Sequence, residues 1–342
     1  MPVGNSDKGV GLWAGQVMFG IDNNYQYIDW GHPEIGGEIG APVAVEEVLC
    51  TDGTTDCEEY IVPVTADGDH HGTLSAKIVS PSITIGLSNY WNMTISQVFG
   101  IRSMTWGKDW DSVHHRNEDS NSDFDNAIGG LLGDSRVMFR YLFLNDGAGP
   151  GHRLFFGGGL VIPSKNTLKS SPFFPSPEET EPHRHFSMSE GVYKAVFETQ
   201  YFVKRKLNPI FIGGTFSIEQ PLGESEYGFK ASRLTDLSFT AFSKKVNLIK
   251  ASVGASFMVR HTTMGYWNDD AAPNSESVLI VPGVGFLWNL GFGTMAVNLQ
   301  KPYFLDGSLT GTEGISTEKT DVYQFSVSMR KMLDYSIPFL EL

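Results

Sequence analysis

The sequence predicts an all-β fold: an up-and-down antiparallel transmembrane β-barrel of about twelve strands, with short periplasmic turns and long extracellular loops. Three observations predict it: apolar and polar residues alternate with period two, short connections alternate with long ones, and the composition is rich in glycine and aromatic residues. The 342 residues include 38 glycines and are 12% aromatic and 19% charged, whereas soluble proteins average roughly 25% charged residues. We expect residues 1–342 to form a single barrel domain.

Period-two alternation is clear over residues 323–330, where every second residue is apolar and the residues between are polar. Side chains on a strand face opposite sides in turn, so such a segment has one apolar and one polar face. Similar segments are 10–27, 73–87, 91–105, 132–145, 152–164, 192–205, 209–221, 233–243, 247–263, 277–289, 293–304 and 320–333. Twelve bulky apolar faces would overfill an interior only slightly wider than that of an eight-stranded barrel. We therefore expect them to face lipid and the polar faces to line the interior.

The connections alternate in length. Short ones are 88–92, 145–151, 204–209, 243–247 and 289–293, and long ones are about 28–72, 106–131, 165–191, 222–232, 264–276 and 305–319. Outer-membrane barrels have this asymmetry, whereas a soluble sandwich, the alternative, has no need of it.

Aromatic residues at strand ends suit the interfacial girdles of such a barrel: Tyr90, Trp91, Trp106, Tyr266, Trp267, Trp288 and Tyr303. Pro81 breaks the parity of its segment and predicts a bulge there.

The net charge limits the kinds of binding partner, and the two cysteines indicate the redox compartment in which the protein is located. The net charge of −14 argues against a nucleic-acid partner. From the barrel prediction we expect the outer-membrane bilayer and a small-molecule solute as partners; the oligomeric state stays open. Cys50 and Cys57 suit a disulfide in an oxidising compartment, with two free thiols as the alternative. The first residues lack the features of a signal peptide, so we expect either a mature start with an added Met1 or a truncated start.

Two adjacent segments resemble a known family. Residues 129–145, GGLLGDSRVMFRYLFLN, and residues 152–167, HRLFFGGGLVIPSKNT, are similar to a Gly-Asp-initiated strand and a glycine-rich strand in outer-membrane proteins of meta-pathway phenol degradation. These proteins are relatives of the long-chain fatty-acid and aromatic-hydrocarbon transporters. The resemblance implies an outer-membrane channel for hydrophobic or aromatic compounds. It covers residues 73–333 in pattern, and the long N-terminal plug segment of the fatty-acid transporters is not recognisable.

Charged residues are concentrated on the polar faces of the predicted strands. We expect these side chains to line the pore: Arg102, Arg136, Arg140, Arg153, Lys194, Glu198, Glu219, Lys250, Arg260 and Arg330. Cationic rings in a pore favour anions. The alternative is an internal network of ion pairs that plugs a narrow barrel.

The loop 107–130 carries a candidate calcium site, because Asp119, Asn121, Asp123 and Asp125 are spaced by two, as ligands are in an EF-hand loop. Phe124 stands where the turn glycine belongs, so a solvated acidic loop is the alternative. A transition-metal site is a further hypothesis, drawn from histidines in or beside the long loops: His32, His70, His71, His114, His115, His183 and His185.

Three functions follow from these patterns. The first is a channel that admits small molecules, and the second is a structural or ligand- and ion-binding barrel with a plugged lumen. The third, a lipid hydrolase, would need the His185–x–Ser187 pair at the lipid face, and no orienting Asn follows at a suitable distance. Motifs for other catalytic chemistry are absent, so we expect no enzyme, and no cofactor apart from the candidate calcium ion.

Overall fold

The computed structural model describes residues 11–33, 69–106, 117–147, 149–172, 184–272, 275–307 and 319–340. Its strands are β1 (Gln16–Pro33), β2 (Asp69–Gly86), β3 (Trp91–Trp106), β4 (Glu118–Asp119), β5 (Leu132–Asn145), β6 (Gly151–Ile162), β7 (Lys194–Lys204), β8 (Phe211–Pro221), β9 (Phe229–Lys230), β10 (Leu234–Val246), β11 (Ala251–Thr262), β12 (Tyr266–Trp267), β13 (Asp270–Ala271), β14 (Ser277–Leu290), β15 (Gly293–Gln300), β16 (Tyr303–Asp306) and β17 (Lys319–Ser336). A single 3-10 turn, Pro338–Leu340, follows β17. Within these ranges, no helix is long and apolar enough to cross a bilayer.

The twelve long strands form one closed antiparallel barrel, as the sequence predicts. Their spatial order is β1-β2-β3-β5-β6-β7-β8-β10-β11-β14-β15-β17, and β17 pairs again with β1. In the closing pair Gly20 lies opposite Arg330. Every strand therefore has a neighbour on both sides, so the wall leaves no long unpaired edge.

The strand boundaries agree with the predicted segments to within a few residues, except at two places. The first strand is Gln16–Pro33 rather than 10–27, so both of its ends lie further along the chain than predicted. The predicted strand 293–304 is two strands, β15 and β16, because Pro302 between them has no N–H to donate. Both β15 and β16 pair with β14, so they continue the same position in the wall.

The bulge predicted at Pro81 is wrong. Pro81 pairs with Ile21, and β2 keeps one register against β1 and against β3 throughout. The irregularity lies in the neighbouring strand, where the register of β3 against β5 shifts between Gln97 and Phe99. Proline therefore costs a ladder hydrogen bond here without inserting a residue.

The two faces of the wall have opposite chemistry. Outward-facing aromatic residues such as Phe139, Phe239 and Phe257 leave 42%, 49% and 41% of their surface exposed, while the inward-facing Gln200 and Asn298 are buried. This is the inverse of a soluble barrel, and it confirms the predicted orientation of the alternating segments. Such an apolar outer surface is stable only against hydrocarbon.

Aromatic residues mark the turn end of this apolar surface, where Tyr90 and Trp91 are both exposed. Trp288 lies near the same end and donates its indole N–H to the Ile249 carbonyl at 3.1 Å. The girdle prediction is wrong for Trp267, which is buried against Phe229 with a ring separation of 4.8 Å. Trp267 belongs instead to a small apolar cluster formed by the extracellular connections.

Candidate functional site

The lumen is the candidate site, and its turn end is lined by apolar side chains. This turn-end layer consists of Leu142, Phe155, Phe202, Phe211, Phe242 and Leu287. Ring centroids lie 6.3 Å apart for Phe155 and Phe202, 5.5 Å for Phe202 and Phe211, and 6.5 Å for Phe211 and Phe242. The rings thus form a continuous chain along β6, β7, β8 and β10, on the inward face of the wall.

Glycines make room for these rings. Gly213 lies opposite Phe202 and Gly254 lies opposite Phe242. A Cβ added at either glycine would collide with the facing phenyl ring. Each ring therefore lies against bare backbone on the neighbouring strand, and a larger residue at either glycine would force the ring into the lumen.

The residues before β1 fold across the same end. The Gly15 amide donates to the Gly86 carbonyl at 2.8 Å, and the Ile337 amide donates to the Gly15 carbonyl at 2.9 Å. These bonds hold Leu12 with only 2% of its surface exposed. Leu12 thereby adds an aliphatic side chain to the turn end of the lumen, beside Gly86.

Ion pairs line the lumen above the turn-end layer. Arg140 Nε lies 2.6 Å from Glu198 Oε1, and Arg140 Nη1 donates to Thr94 Oγ1 at 3.1 Å. β6 separates these two strands, and the pair meets over Gly157, which has no side chain to keep the groups apart. Both charged side chains are more than nine-tenths buried, so each depends on the other for compensation.

Three further arginines repeat this arrangement. Arg330 binds both carboxylate oxygens of Asp22 at 2.6 and 2.9 Å, and Arg260 binds both oxygens of Asp236 at 2.8 Å. The complete ion-pair belt consists of Arg140–Glu198, Arg330–Asp22, Arg260–Asp236 and Arg136–Glu219. Because each of the four guanidinium groups has a carboxylate partner, the belt has no net charge. It therefore matches the alternative prediction of an internal ion-pair network better than that of a ring of free cations.

The wall also has inward positions that are polar and uncharged. Asn298 on β15 is 1% exposed, and its buried Nδ2 and Oδ1 have no hydrogen-bond partner among the described residues. The hydroxyl groups of Thr240 and Ser256 are in the same situation. This part of the wall therefore offers donors and acceptors that only water or a solute can satisfy.

Described loop segments pack together at the extracellular end. Asn166 binds two other segments: its Oδ1 accepts from the Met188 amide at 3.0 Å, and its Nδ2 donates to the carbonyls of Ser120, at 2.9 Å, and Gly130. We call residues 117–131, 163–168 and 184–193 the mouth cap. The cap reaches inside the wall, because the inward-facing Arg102 donates to the Ser187 carbonyl at 2.8 Å.

A second polar cluster completes the mouth cap. Asn126 accepts from the Arg184 amide at 3.0 Å and donates to its carbonyl at 3.2 Å, and Glu118 Oε1 accepts from the His185 amide at 2.9 Å. Burial lowers the pKa of the Arg184 guanidinium, while the carboxylates of Glu118, Asp119 and Asp123 oppose that change. Arg184 stays charged, and its Nη1 donates to the Ile128 carbonyl at 3.0 Å.

Of the predicted pore-lining residues, most lie on the inward face, and one prediction is wrong. Lys250 lies in the turn before β11, with φ of 55°, and is exposed. Arg153 has inward parity, opposite Phe202, and its side chain folds onto the turn that joins β5 and β6, where it donates to the Gly147 carbonyl. The other inward-facing residues are Arg102, Arg136, Arg140, Lys194, Glu198, Glu219, Arg260 and Arg330; Lys194 forms an ion pair with Glu190.

The calcium prediction stays a prediction. Asp119 Oδ1 accepts from the Asn121 amide at 2.7 Å and from the Ser122 hydroxyl at 3.1 Å, which is the hydrogen bonding of a local turn. Within the part of the chain that the structure describes, no three His, Cys, Asp or Glu side chains converge on a metal position. The predicted disulfide, Cys50 to Cys57, and the side chains of the predicted loop histidines other than His185 lie outside the described residues.

The residues of the hydrolase hypothesis belong to the mouth cap. Ser187 donates its hydroxyl proton to the Ser189 carbonyl at 2.5 Å, and His185 Nδ1 faces Glu118 Oε1 at 3.0 Å. Ser187 thus directs its proton away from His185, on the inner side of the wall rather than at the lipid face. The sequence reasoning missed the turn-end layer, although aromatic residues at polar-parity positions on successive strands, as at Phe155, Phe202 and Phe242, are its signal.

A closed antiparallel barrel with an apolar exterior, a polar lumen and long connections at one end is an outer-membrane β-barrel. Its fold is similar to that of an outer membrane channel from Pseudomonas putida F1, with 10% identity, a TM-score of 0.55, and coverage of 96% of this chain and 100% of that one. Weaker likenesses are to the TodX monoaromatic hydrocarbon channel, with 9% identity, a TM-score of 0.44 and coverage of 93% and 90%, and to a Pseudomonas aeruginosa FadL homologue, with 9% identity, a TM-score of 0.42 and coverage of 92% and 90%. No family model and no curated protein matches the chain.

Proposed function

We propose that this protein is an outer-membrane channel that admits small apolar or aromatic solutes and is closed in the conformation described. One observation carries the proposal: a chain of phenyl rings lines the turn end of a lumen whose other inward faces combine ion pairs and polar groups with aliphatic side chains such as Met138 and Val196. Apolar constrictions exclude water and ions by dewetting, while an aromatic solute gains contact with phenyl rings. Such a layer therefore favours passage of apolar molecules over that of ions.

The two ends of the lumen act in series. A solute entering from outside must first displace the mouth cap, then pass the ion-pair belt and finally separate rings such as Phe202 and Phe242. Since the belt is neutral as a whole, it presents no net charge to repel or attract an ion. Among the described residues, four inward arginines are each paired with a carboxylate, which argues against the uncompensated cationic ring on which anion selectivity would depend.

The test compares an inward phenylalanine with an outward one. Phe202→Ala removes a ring from the turn-end layer, whereas Phe239→Ala removes a lipid-facing ring that is 49% exposed. Each is measured in the Asn166→Ala background, which loosens the mouth cap, by uptake of an uncharged aromatic solute into liposomes and by conductance across planar bilayers. We expect Phe202→Ala to raise uptake and conductance, and Phe239→Ala to leave both unchanged.

A structural barrel with a plugged lumen is the second candidate, and the buried ion pairs favour it. The same measurements separate the two. If neither the wild type nor the doubly opened protein admits solute, the barrel is a sealed scaffold and the channel proposal is wrong. If Phe239→Ala raises uptake as much as Phe202→Ala, the effect comes from a weakened wall rather than from the turn-end layer.

A further inference from the structure

A pocket of about 280 Å³ opens at the extracellular rim of the barrel, outside the lumen. We call it the rim pocket; its lining includes Gln220, Lys230, Arg233, Thr263, Met264 and Tyr266. Two of these are cations and none is a carboxylate, in a chain whose net charge is −14. A local excess of positive charge on an acidic protein points to an anionic ligand.

The strand register places the rim pocket on the membrane side of the wall. Arg233 directly precedes β10 and Thr263 directly follows β11; the Arg233 amide donates to Thr263 Oγ1 at 3.0 Å, and the Thr263 amide donates to the Arg233 carbonyl at 3.1 Å. Four residues further along β10, on the same face, Leu237 is exposed beside the exposed Phe216 of β8. At about 3.3 Å per residue, the pocket lies roughly 13 Å along the strand from this apolar surface, at the depth of lipid headgroups.

The small sheet above the wall fixes the remaining lining residues. Phe229 pairs with Trp267 and Lys230 pairs with Tyr266. Because successive side chains alternate, the first pair packs into the apolar cluster of the extracellular connections while the second faces the pocket. Lys230 Nζ lies 5.7 Å from the centroid of the Tyr266 ring, so the ammonium is held over the pocket by a cation–π contact.

Neither cation is neutralised by its surroundings. Among the described residues, no carboxylate forms an ion pair with Lys230 or Arg233. A guanidinium presents a bidentate donor fork and an ammonium a compact charge, and together they suit the oxygens of a phosphate. Met264 and the Tyr266 ring supply apolar surface for the remainder of the ligand.

We propose that the rim pocket binds the phosphorylated headgroup of a glycolipid in the outer leaflet. The position of the rim pocket favours a membrane lipid as the source of the phosphate, because the pocket faces the headgroup layer and not the lumen or the space above the mouth cap. Phosphate in free solution has the same oxygen chemistry and is the rival occupant. The proposal is independent of whether the lumen conducts.

The experiment measures lipid binding to the full-length protein in detergent by native mass spectrometry. The probes are diphosphorylated lipid A, its dephosphorylated form and inorganic phosphate. The test variant is Lys230→Gln with Arg233→Gln, and the matched control is Lys206→Gln with Lys244→Gln, two exposed cations at the turn end. Heat-modifiable mobility on a denaturing gel establishes that each variant is folded before binding is measured.

We expect lipid A to bind the wild type and the control variant equally, and to bind the test variant about 100-fold more weakly, since each lost charge-assisted contact is worth about tenfold. Dephosphorylated lipid A should bind the wild type as weakly as lipid A binds the test variant. Equal binding of the two lipid forms, or equal weakening in the control, would overturn the proposal. Displacement of lipid A by an equal concentration of inorganic phosphate would assign the pocket to a soluble anion instead.

Discussion

The two ends of the lumen are held together by different interactions: packing of phenyl rings at the turn end and hydrogen bonds at the extracellular end. The turn-end layer belongs to the strands themselves, and its rings are held by contact with neighbouring rings and bare glycine backbone. The mouth cap belongs to connections, and side chains such as Asn166 and Asn126 hold it through hydrogen bonds to backbone groups. A closure built into the wall resists opening without loss of packing, whereas a hydrogen-bonded cap can exchange its partners for water. The extracellular end is therefore the easier one to open.

Substitution in the turn-end layer should have the largest effect. Phe202→Ala and Phe242→Ala each remove a buried ring, and each should lower the free energy of unfolding by about 3–5 kcal/mol. Guanidinium titration followed by tryptophan fluorescence measures this loss. Phe257→Ala, which truncates an exposed lipid-facing ring, is the control; an equal loss there would show that the inward rings are not specially packed.

The ion-pair belt lies between the two closures. Glu198→Gln leaves the buried Arg140 without its carboxylate and should cost about 3–5 kcal/mol. In a background with both ends opened it should also shift the reversal potential in a salt gradient toward anion preference, because the lumen gains one positive charge. Arg140→Gln should shift it toward cations. Identical reversal potentials in the two variants would mean that ions do not pass the belt.

Loosening the mouth cap should cost less than breaking the turn-end layer. Asn166→Ala removes the partners of the Met188 amide and of the Ser120 and Gly130 carbonyls, at about 1–3 kcal/mol for each group that stays buried. Hydrogen exchange at the Met188 amide should accelerate, while exchange in β7 stays slow. Uniform acceleration throughout the barrel would contradict the separation of the two ends.

The smallest effect is expected on the outer surface. Lys301 forms an exposed ion pair with Asp321 and lies 3.9 Å from the centroid of the Tyr323 ring. Lys301→Gln should lower the free energy of unfolding by less than about 1 kcal/mol, as is usual for exposed ion pairs. The guanidinium titration used for the phenylalanine variants measures this loss of unfolding free energy. A loss as large as that of the phenylalanine variants would mean that the Lys301 ion pair is a major structural contact on the lipid face.

The period-two alternation of apolar and polar residues was enough to predict the fold, the number of strands, twelve, and the inward orientation of residues such as Arg140 and Glu198. It could not predict that these two side chains meet, because β6 separates their strands and only the register places Gly157 between them. Lys250 shows a second limit, since one misjudged strand end moves a residue from the wall into a turn. Loops have no period, so the contacts of Asn166 could not be read from its sequence position.

The closing pair of β1 and β17 has a consequence for biogenesis. Gly20 and Arg330 face each other from opposite ends of the chain, so the last contact in the ring has an extreme sequence separation, a feature that slows folding. Until the final strand has been translocated, both β1 and the growing edge expose unsatisfied peptide groups. The barrel therefore closes only when β17 is in place, and a truncation that removes β17 would yield an aggregation-prone sheet with two open edges rather than a smaller pore.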